Sequence, residues 1–265
     1  MRRCGRRLIL TALVVSATFL GTTRPSGAAG LVDEIKQRGT MRFCVADWPY
    51  LQKDPKTGKW SGYDADLAEA LAGRLGAKAE FVDSSWGNMI PALLAKKCDV
   101  AWGGFFHTEE RQKVVDYTKD VHNTGLVVVV KQGETRFKAY EDLNKAGITF
   151  SELADIGEIE ARKNFPRAAV KILQTDNTNQ QALEVAAGRA DANVTDVLLA
   201  YELIEKKAGI QILPGPIINK SDLGMLVRKD TPELKEAINA FITESETNGL
   251  LKSLAVKYKV PEGFK

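Results

Sequence analysis

Residues 41–102 read MRFCVADWPYLQKDPKTGKWSGYDADLAEALAGRLGAKAEFVDSSWGNMIPALLAKKCDVAW, and this stretch decides the fold. Short apolar runs in it alternate with segments in which apolar residues recur every three or four positions, as Leu67, Leu71 and Leu75 do. We therefore predict strands at 41–46, 78–82 and 99–102 and helices at 64–75 and 88–96. This alternation indicates an α/β architecture, in which helices cover both faces of a mostly parallel sheet.

The same alternation returns in the second half of the chain. Predicted strands lie at 126–130, 147–150, 169–173, 192–195, 211–213 and 224–228. Predicted helices lie at 155–163, 179–188 and 196–206, followed by one that begins at Thr231 and a terminal one that reaches Tyr258. The chain of 265 residues thus divides into two α/β lobes of roughly 100 residues each, which is an ordinary domain size.

Residues 1–29 have the composition of a secretory signal peptide. They contain five arginines, no acidic residue, an apolar run at 8–20 and the small residues 26–29. The apolar run is shorter than the roughly 20 residues that a membrane-spanning helix needs. We expect cleavage after Ala28 or Ala29 and an exported protein, with no cysteine after the run to accept a lipid anchor.

The charge balance changes once this segment is removed. The whole chain has 37 Lys and Arg, 34 Asp and Glu and a formal net charge of +3, but five of the basic residues belong to the predicted signal peptide. The mature chain is therefore slightly acidic, and a basic surface for nucleic acid is not predicted. With 44% hydrophobic and 27% charged residues, the composition excludes a disordered or collagen-like chain.

Two cysteines, Cys44 and Cys98, remain after cleavage, in a compartment where disulfides persist. The sequence leaves two interpretations open, a disulfide between them or two separate buried thiols.

Signatures of catalysis and metal binding are missing from the sequence. His107 and His122 are its only histidines, and no His-x-x-x-His or Cys-x-x-Cys spacing occurs. Gly-x-Ser-x-Gly, Walker A and Gly-x-Gly-x-x-Gly motifs are also missing. The sequence therefore predicts neither a metal site nor a cofactor, and we expect His107 in a loop and His122 at the surface.

Six short motifs in a fixed order carry a resemblance to a known family. They are Gly62–Ala68 (GYDADLA), Met89–Leu93 (MIPAL), Cys98–Val100 (CDV), Thr108–Arg111 (TEER), Val115–Thr118 (VDYT) and Gly188–Asp196 (GRADANVTD). Together they resemble the amino-acid-binding proteins of ABC importers, family 3 of the bacterial extracellular solute-binding proteins. The resemblance covers the whole mature chain.

The resemblance implies a two-lobed periplasmic-binding-protein-like fold of type II, each lobe a mostly parallel sheet flanked by helices. It places lobe 1 at 30–124 and 221–265 and lobe 2 at 125–220. The hinge between them is expected near 124–127 and again near 220–224.

The resemblance also assigns the charged ligand contacts. Arg111 matches the arginine that binds the α-carboxylate of the ligand with its planar guanidinium. Asp196 matches the acid that receives the α-ammonium group. Alternative roles remain open for both residues: a surface ion pair of Arg111 with Glu109 or Glu110, and an N-cap role for Asp196 that is compatible with ligand binding.

Asp47 and Trp48 lie where the family has the end of its first strand and the aromatic residue that stacks on the ligand. Tyr50 is a second candidate for this stacking, and Trp86 matches another position that faces the ligand side chain. Aromatic faces provide apolar contact and attract cations. For each aromatic residue, packing in the core is the alternative.

Two segments depart from the family pattern. Small hydroxyl residues often precede the family arginine, whereas this chain has Gly104, which allows close approach of a ligand, and Phe106, which removes a hydroxyl and narrows the site. In lobe 2, residues 151–158 replace the usual Gly-Thr loop.

Within residues 151–158, Asp155 with Glu158 matches a variant of the capping box. If Glu152 or Asp155 instead faces the cleft, a ligand with additional positive charge is favoured, since desolvated acids need a counter-charge.

The predicted function is that of a solute-binding protein, not an enzyme. We expect it to capture a small zwitterionic or cationic amino acid, with a basic one favoured, and to deliver it to a membrane ABC permease complex, as a monomer without a nucleic-acid partner. The alternative is an exported enzyme on the same fold, similar to the cyclohexadienyl and arogenate dehydratases. A sensory module fused to a receptor is a third class, but the sequence shows no second hydrophobic span.

Overall fold

Two long antiparallel strands cross the middle of the molecule and join two α/β halves. The structure, a computed structural model, describes residues 30–175 and 177–260, so the predicted signal peptide lies outside it. Its strands are β1 (Thr40–Val45), β2 (Gln52–Lys53), β3 (Trp60–Ser61), β4 (Lys78–Asp83), β5 (Val100–Ala101), β6 (Val115–Lys131), β7 (Thr149–Glu152), β8 (Ala169–Ile172), β9 (Ala192–Asp196), β10 (Ile210–Ile212) and β11 (Ile218–Arg228).

Helices flank these strands in the order that the sequence predicts. They are α1 (Leu31–Arg38), α2 (Tyr63–Arg74), α3 (Met89–Leu94), α4 (Glu109–Val114), α5 (Ile156–Asn164), α6 (Gln180–Ala186), α7 (Val197–Glu205), α8 (Pro232–Thr247) and α9 (Leu250–Lys257). Four elements were not predicted, namely α1, β2, β3 and α4. They have 8, 2, 2 and 6 residues, which is too short for a period to be recognised in the sequence.

The main sheet has the strand order β4-β1-β5-β11-β6-β9-β7-β8, and β10 pairs with β6. On one side β1 pairs in parallel with β4 and β5, and on the other β7 pairs in parallel with β8 and β9. We call these parallel groups, with their helices, lobe 1 and lobe 2. The α/β alternation predicted for both halves is confirmed, while the residue boundaries of the lobes stay a prediction.

The crossing strands β6 and β11 are longer than predicted and antiparallel to each other. The sequence predicted only their apolar parts, 126–130 and 224–228. Residues 115–125 of β6 include several polar side chains and alternate irregularly between buried and exposed positions. A strand that buries polar side chains such as Thr118, His122 and Thr124 and changes register against its neighbour has no clear apolar run.

Cys44 and Cys98 form a disulfide, with their Cα atoms 5.5 Å apart. Cys44 lies on β1, and Cys98 lies just before β5, which pairs with β1. Both cysteines are fully buried in a small cluster with Met89, Leu93 and Phe105. Of the two interpretations that the sequence left open, the disulfide is confirmed.

The strand ends position the site. Strand β1 ends at Val45 just before Asp47 and Trp48, β7 ends at Glu152 just before Asp155, and β9 ends at Asp196. Ligands of open α/β sheets bind outside such carboxyl ends. Among the described residues, none of the helices combines the length and apolar character needed to cross a membrane.

Candidate functional site

A cleft of ≈640 Å³ separates the two lobes, within the size range of small-molecule sites. Side chains and backbone from both lobes line it. Eight of the nine predicted site residues are among them: Asp47, Trp48, Trp86, Gly104, Phe106, Arg111, Asp155 and Asp196.

Arg111 is held in one orientation. It lies in the first turn of α4, where its backbone N–H donates to the hydroxyl of the N-cap residue Thr108 (3.2 Å). Its Nη1 donates to the carbonyl of Phe106 (3.0 Å) and its Nη2 to Oδ1 of Asp155 (2.9 Å). The guanidinium carbon lies 5.3 Å from the ring centre of Phe105. The cationic group is therefore fixed toward the cleft.

Arg111 does not form the surface ion pair with Glu109 or Glu110 that was its alternative role. Glu110 pairs with Lys113 (2.5 Å), while Arg111 pairs with Asp155 on the other side of the cleft. A second bond bridges the lobes nearby, from Gln52 Nε2 to Glu202 Oε1 (2.9 Å).

The predicted capping box of Asp155 and Glu158 does not form. Asp155 occupies the N-cap position of α5, but its side chain makes no capping hydrogen bond. Glu158, the other half of the predicted capping box, pairs with Arg162 four residues on (2.9 Å). The guanidinium of Arg111 carries a full positive charge, which attracts the carboxylate of Asp155 more strongly than the partial charges of backbone N–H groups do.

Asp196 is the N-cap of α7, as the sequence allowed, and it also faces the cleft. Its Oδ1 accepts from the backbone N–H groups of Leu198 (2.8 Å) and Leu199 (3.4 Å), at the start of α7. Its Oδ2 accepts from the Thr124 hydroxyl (2.7 Å), a partner that the sequence did not reveal. Burial raises the pKa of Asp196, and these hydrogen bonds oppose that rise. All these donors are neutral, and Oδ2, which has a single donor, can accept a further bond.

Trp48 forms an aromatic wall of the cleft and is fixed from behind. Its indole Nε1 donates to Oδ2 of the buried Asp64 (2.9 Å), whose Oδ1 lies 2.6 Å from Nε2 of His122. His122 is only 1% exposed, so the prediction that it lies at the surface was wrong. The reason is that His122 is on the inner face of β6, a strand too polar to be recognised.

Tyr50 is the predicted residue that the structure does not bring to the cleft. It is 6% exposed and packs behind Trp48 at 5.1 Å and against His122 at 4.7 Å between ring centres. The Trp48–Leu51 bridge folds the chain back at this point, which turns Tyr50 into the core. Burial raises its pKa far above the usual tyrosine value.

Asp47 and Trp86 form the edge of the cleft. The Trp86 Nε1 donates to the backbone carbonyl of Asp47 (3.3 Å), and Oδ1 of Asp47 accepts from the backbone N–H of Lys53 (2.8 Å). Trp86 is half-buried and also contacts Phe105 edge to face, at 5.6 Å between ring centres. It is thus both a packing residue and a lining residue.

Gly104 and Phe106 have the positions expected of the altered segment before Arg111. A Cβ on Gly104 would lie 3.1 Å from the ring of Trp48, so glycine allows the close packing of that wall. The Phe106 carbonyl already accepts from Arg111 and from the Tyr117 hydroxyl (2.8 Å). This carbonyl therefore holds Arg111 in place.

Lobe 2 contributes lining residues that sequence reasoning missed. They lie in the loop between β8 and α6 and at the start of α6: Leu173, Gln174, Thr175, Thr178 and Gln181. These residues are uncharged and form no recognisable motif, so only their place after the end of β8 could have indicated them.

Glu152 is buried beneath the cleft and is not among its lining residues. Its carboxylate accepts from the backbone N–H of Val194 (2.7 Å) and from Nδ2 of Asn193 (2.9 Å). Burial raises its pKa well above the usual range. Of the two acids that the sequence offered for the cleft, the structure brings only Asp155 there.

This arrangement, two α/β lobes joined by two crossing strands with opposite charges facing one cleft, defines a solute-binding protein. The model of the bacterial extracellular solute-binding proteins, family 3, matches residues 41–261. The chain belongs to this family, as the sequence motifs predicted.

Individual relatives agree with this assignment. The L-cystine-binding protein TcyJ of Escherichia coli (strain K12) is 28% identical over 96% of this chain and 95% of its own. The L-arginine-binding protein of Pseudomonas aeruginosa is 29% identical over 79% of this chain and 83% of its own. These relatives are binding proteins.

A solved structure shares the fold. It is the ancestral amino acid-binding protein AncCDT-1, described as a precursor of cyclohexadienyl dehydratase. It is 34% identical, covers 87% of this chain and 99% of its own, and has a TM-score of 0.76. The predicted two-lobed fold is therefore confirmed.

Proposed function

We propose that this protein captures a small amino acid of the basic class between its lobes and delivers it to a membrane ABC permease complex. We also propose that it works as a monomer in the periplasm, after cleavage of residues 1–29. The observation that carries the binding role is that Arg111 of lobe 1 and Asp196 of lobe 2 face the same cleft. Relatives that bind cystine and arginine support an amino acid as the ligand.

In this proposal Asp196 accepts hydrogen bonds from the α-ammonium group, and Arg111 donates hydrogen bonds to the α-carboxylate. Trp48 and Trp86 provide aromatic faces for the aliphatic part and the cationic end of the side chain. The lining acids Asp47, Asp155 and Asp196 outnumber the one lining cation, Arg111, among the described residues. This excess of negative charge supports a basic ligand.

Closure of the cleft is the proposed mechanism. A ligand that contacts both lobes shifts the open–closed equilibrium toward the closed form. The crossing strands supply the hinge, and β11 changes register against β6 between Leu223 and Gly224. A Cβ on Gly224 would lie 2.7 Å from the carbonyl of Thr118, so only glycine fits this bend. This supports the predicted hinge segment near 220–224.

A thermal-shift screen over the amino acids and simple amines tests the binding role. Ligands that bind only the folded protein raise its melting temperature by mass action. Among the amino acids, we expect the basic ones to give the largest shifts. Shifts from acidic or neutral amino acids alone would contradict the proposed ligand class, and a screen without any shift would contradict the binding role.

The dehydratase alternative needs a protonated carboxyl beside the leaving hydroxyl of its substrate. Two acids have a raised pKa: Glu152 lies beneath the cleft, and Asp196 lines the cleft but accepts hydrogen bonds from Thr124 and Leu198, which favour its ionised form. The carboxylate of Asp155 is paired with Arg111. These contacts favour binding without catalysis. Incubation with prephenate or arogenate tests this directly, since release of an aromatic product at enzymatic rates would contradict the proposal.

A further inference from the structure

Asp155 lies where a ligand carboxylate would be expected. Its Oδ1 accepts from Nη2 of Arg111 at 2.9 Å, across the cleft, although the two residues are 44 positions apart. The Arg111 side chain is 19% exposed and that of Asp155 is 47% exposed. A protein carboxylate thus already uses one arm of the guanidinium that the proposed function assigns to the ligand.

The charges of the cleft are not balanced once this pair is formed. Among the described lining residues the charged ones are Arg111, Asp155, Asp47 and Asp196. The hydrogen-bond donors found for Asp47 and Asp196 are backbone N–H groups and a threonine hydroxyl, all neutral. Two carboxylates therefore face the cleft with no cationic side chain among these donors.

A ligand with a carboxylate must compete with Asp155 for Arg111. If it wins, Asp155 loses its charge-assisted bond and stays beside another anion in a cleft that closes over both. A ligand with two cationic ends and no carboxylate leaves the Arg111–Asp155 pair intact. It also brings two positive charges to a cleft whose other lining carboxylates are Asp196, which is half-buried, and Asp47, which is exposed at the edge.

We infer that Asp155 is a specificity-determining residue, which competes with the carboxylate of the ligand for Arg111 and so admits organic dications that lack a carboxylate. Diamines and amino-guanidines of this kind bind at least as tightly as the basic amino acids from which they differ by loss of the carboxylate. This inference rests on the proposed function, because Asp196 must receive one ammonium group of either ligand.

Calorimetric titration with two matched pairs of ligands tests the inference. Agmatine is arginine without its carboxylate, and cadaverine is lysine without its carboxylate. The variant Asp155→Asn keeps the shape of the side chain and removes its charge. Glu158→Gln is the matched control, since it removes one negative charge from the same helix but from an acid paired with Arg162 outside the cleft lining.

We expect the wild-type protein to bind agmatine as tightly as arginine or more tightly. Asp155→Asn should shift the ratio of the two dissociation constants at least tenfold in favour of arginine, and Glu158→Gln should leave the wild-type ratio unchanged. Lysine and cadaverine should follow the same pattern.

Two results would overturn the inference in distinguishable ways. If the wild-type protein binds arginine at least tenfold more tightly than agmatine, and Asp155→Asn leaves that ratio unchanged, Asp155 does not determine specificity while the proposed function stands. If none of the four ligands binds and no other amino acid does, the proposed function itself is wrong, and the inference with it.

Discussion

The substitution Asp196→Asn separates the two roles that the structure combines in one carboxylate. Asparagine is as good an N-cap as aspartate, so its carbonyl oxygen can still accept from Leu198 at the start of α7. Its amide N–H groups can donate to the Thr124 hydroxyl, which accepts as well as donates. What the variant loses is the negative charge that faces the cleft.

The magnitude follows from that single loss. A hydrogen bond to a charged group contributes about 1.5–3 kcal/mol, and 1.4 kcal/mol corresponds to a tenfold change in affinity. We therefore expect Asp196→Asn to weaken binding of a basic amino acid by about ten- to a hundredfold. Burial raises the pKa of Asp196, so its charge is unfavourable in the ligand-free protein, and the variant should be as stable as wild type or slightly more stable.

The assay has two parts: calorimetric titration with arginine measures the affinity, and thermal unfolding of the ligand-free protein measures the stability. Asp196→Ala is the comparison, since it removes the cap and the Thr124 contact as well, and should lower stability by about 1–2 kcal/mol. Wild-type affinity in Asp196→Asn would refute the role of Asp196 in binding the ammonium group. Equal loss of stability in both variants would show that the charge, not the cap, stabilises α7.

Three further predictions concern residues that support the cleft. Replacing both Cys44 and Cys98 by alanine should lower the free energy of unfolding by about 2–4 kcal/mol in denaturant titrations. The reason is that the disulfide closes a long loop between residues 54 positions apart. An unchanged unfolding midpoint would contradict this prediction. Asp64→Ala should lower stability by at least about 2 kcal/mol, because it leaves the buried indole N–H of Trp48 unpaired and removes the contact with His122. The same variant should weaken ligand binding, because Trp48 is no longer held in place. Wild-type stability and affinity would contradict this prediction. Burial raises the pKa of Glu152, so the folded protein keeps a proton that the unfolded chain releases, and stability should fall as pH rises from the usual glutamate pKa toward the raised one. In denaturant titrations over about pH 4–8, Glu152→Gln should make this fall in stability smaller. An equal fall in the variant would assign the pH dependence to another group.

Sequence reasoning located the site where periodic elements end in charged residues. Apolar runs of period two and helices of period 3.6 are local properties, so the strand ends before Asp47, Asp155 and Asp196 could be placed within a few residues. Family motifs then brought Arg111 and Asp196 to one cleft. The structure agrees with that placement.

Contacts between distant segments could not be predicted in the same way. The local pattern of Asp155 and Glu158 favours a cap, and nothing local shows that Arg111, 44 residues earlier, offers a stronger partner. His122 likewise has a polar sequence neighbourhood, but tertiary packing on Asp64 buries it. Such outcomes depend on which charged groups the fold brings together, and no periodicity encodes that.

The most direct test is a crystal structure of the protein with its tightest ligand from the thermal-shift screen. We expect the ligand between the two lobes, with a cationic nitrogen within about 3 Å of an Asp196 carboxylate oxygen and its aliphatic part against Trp48. A ligand bound outside the cleft, or inside it with no nitrogen near Asp196, would contradict the proposed binding site.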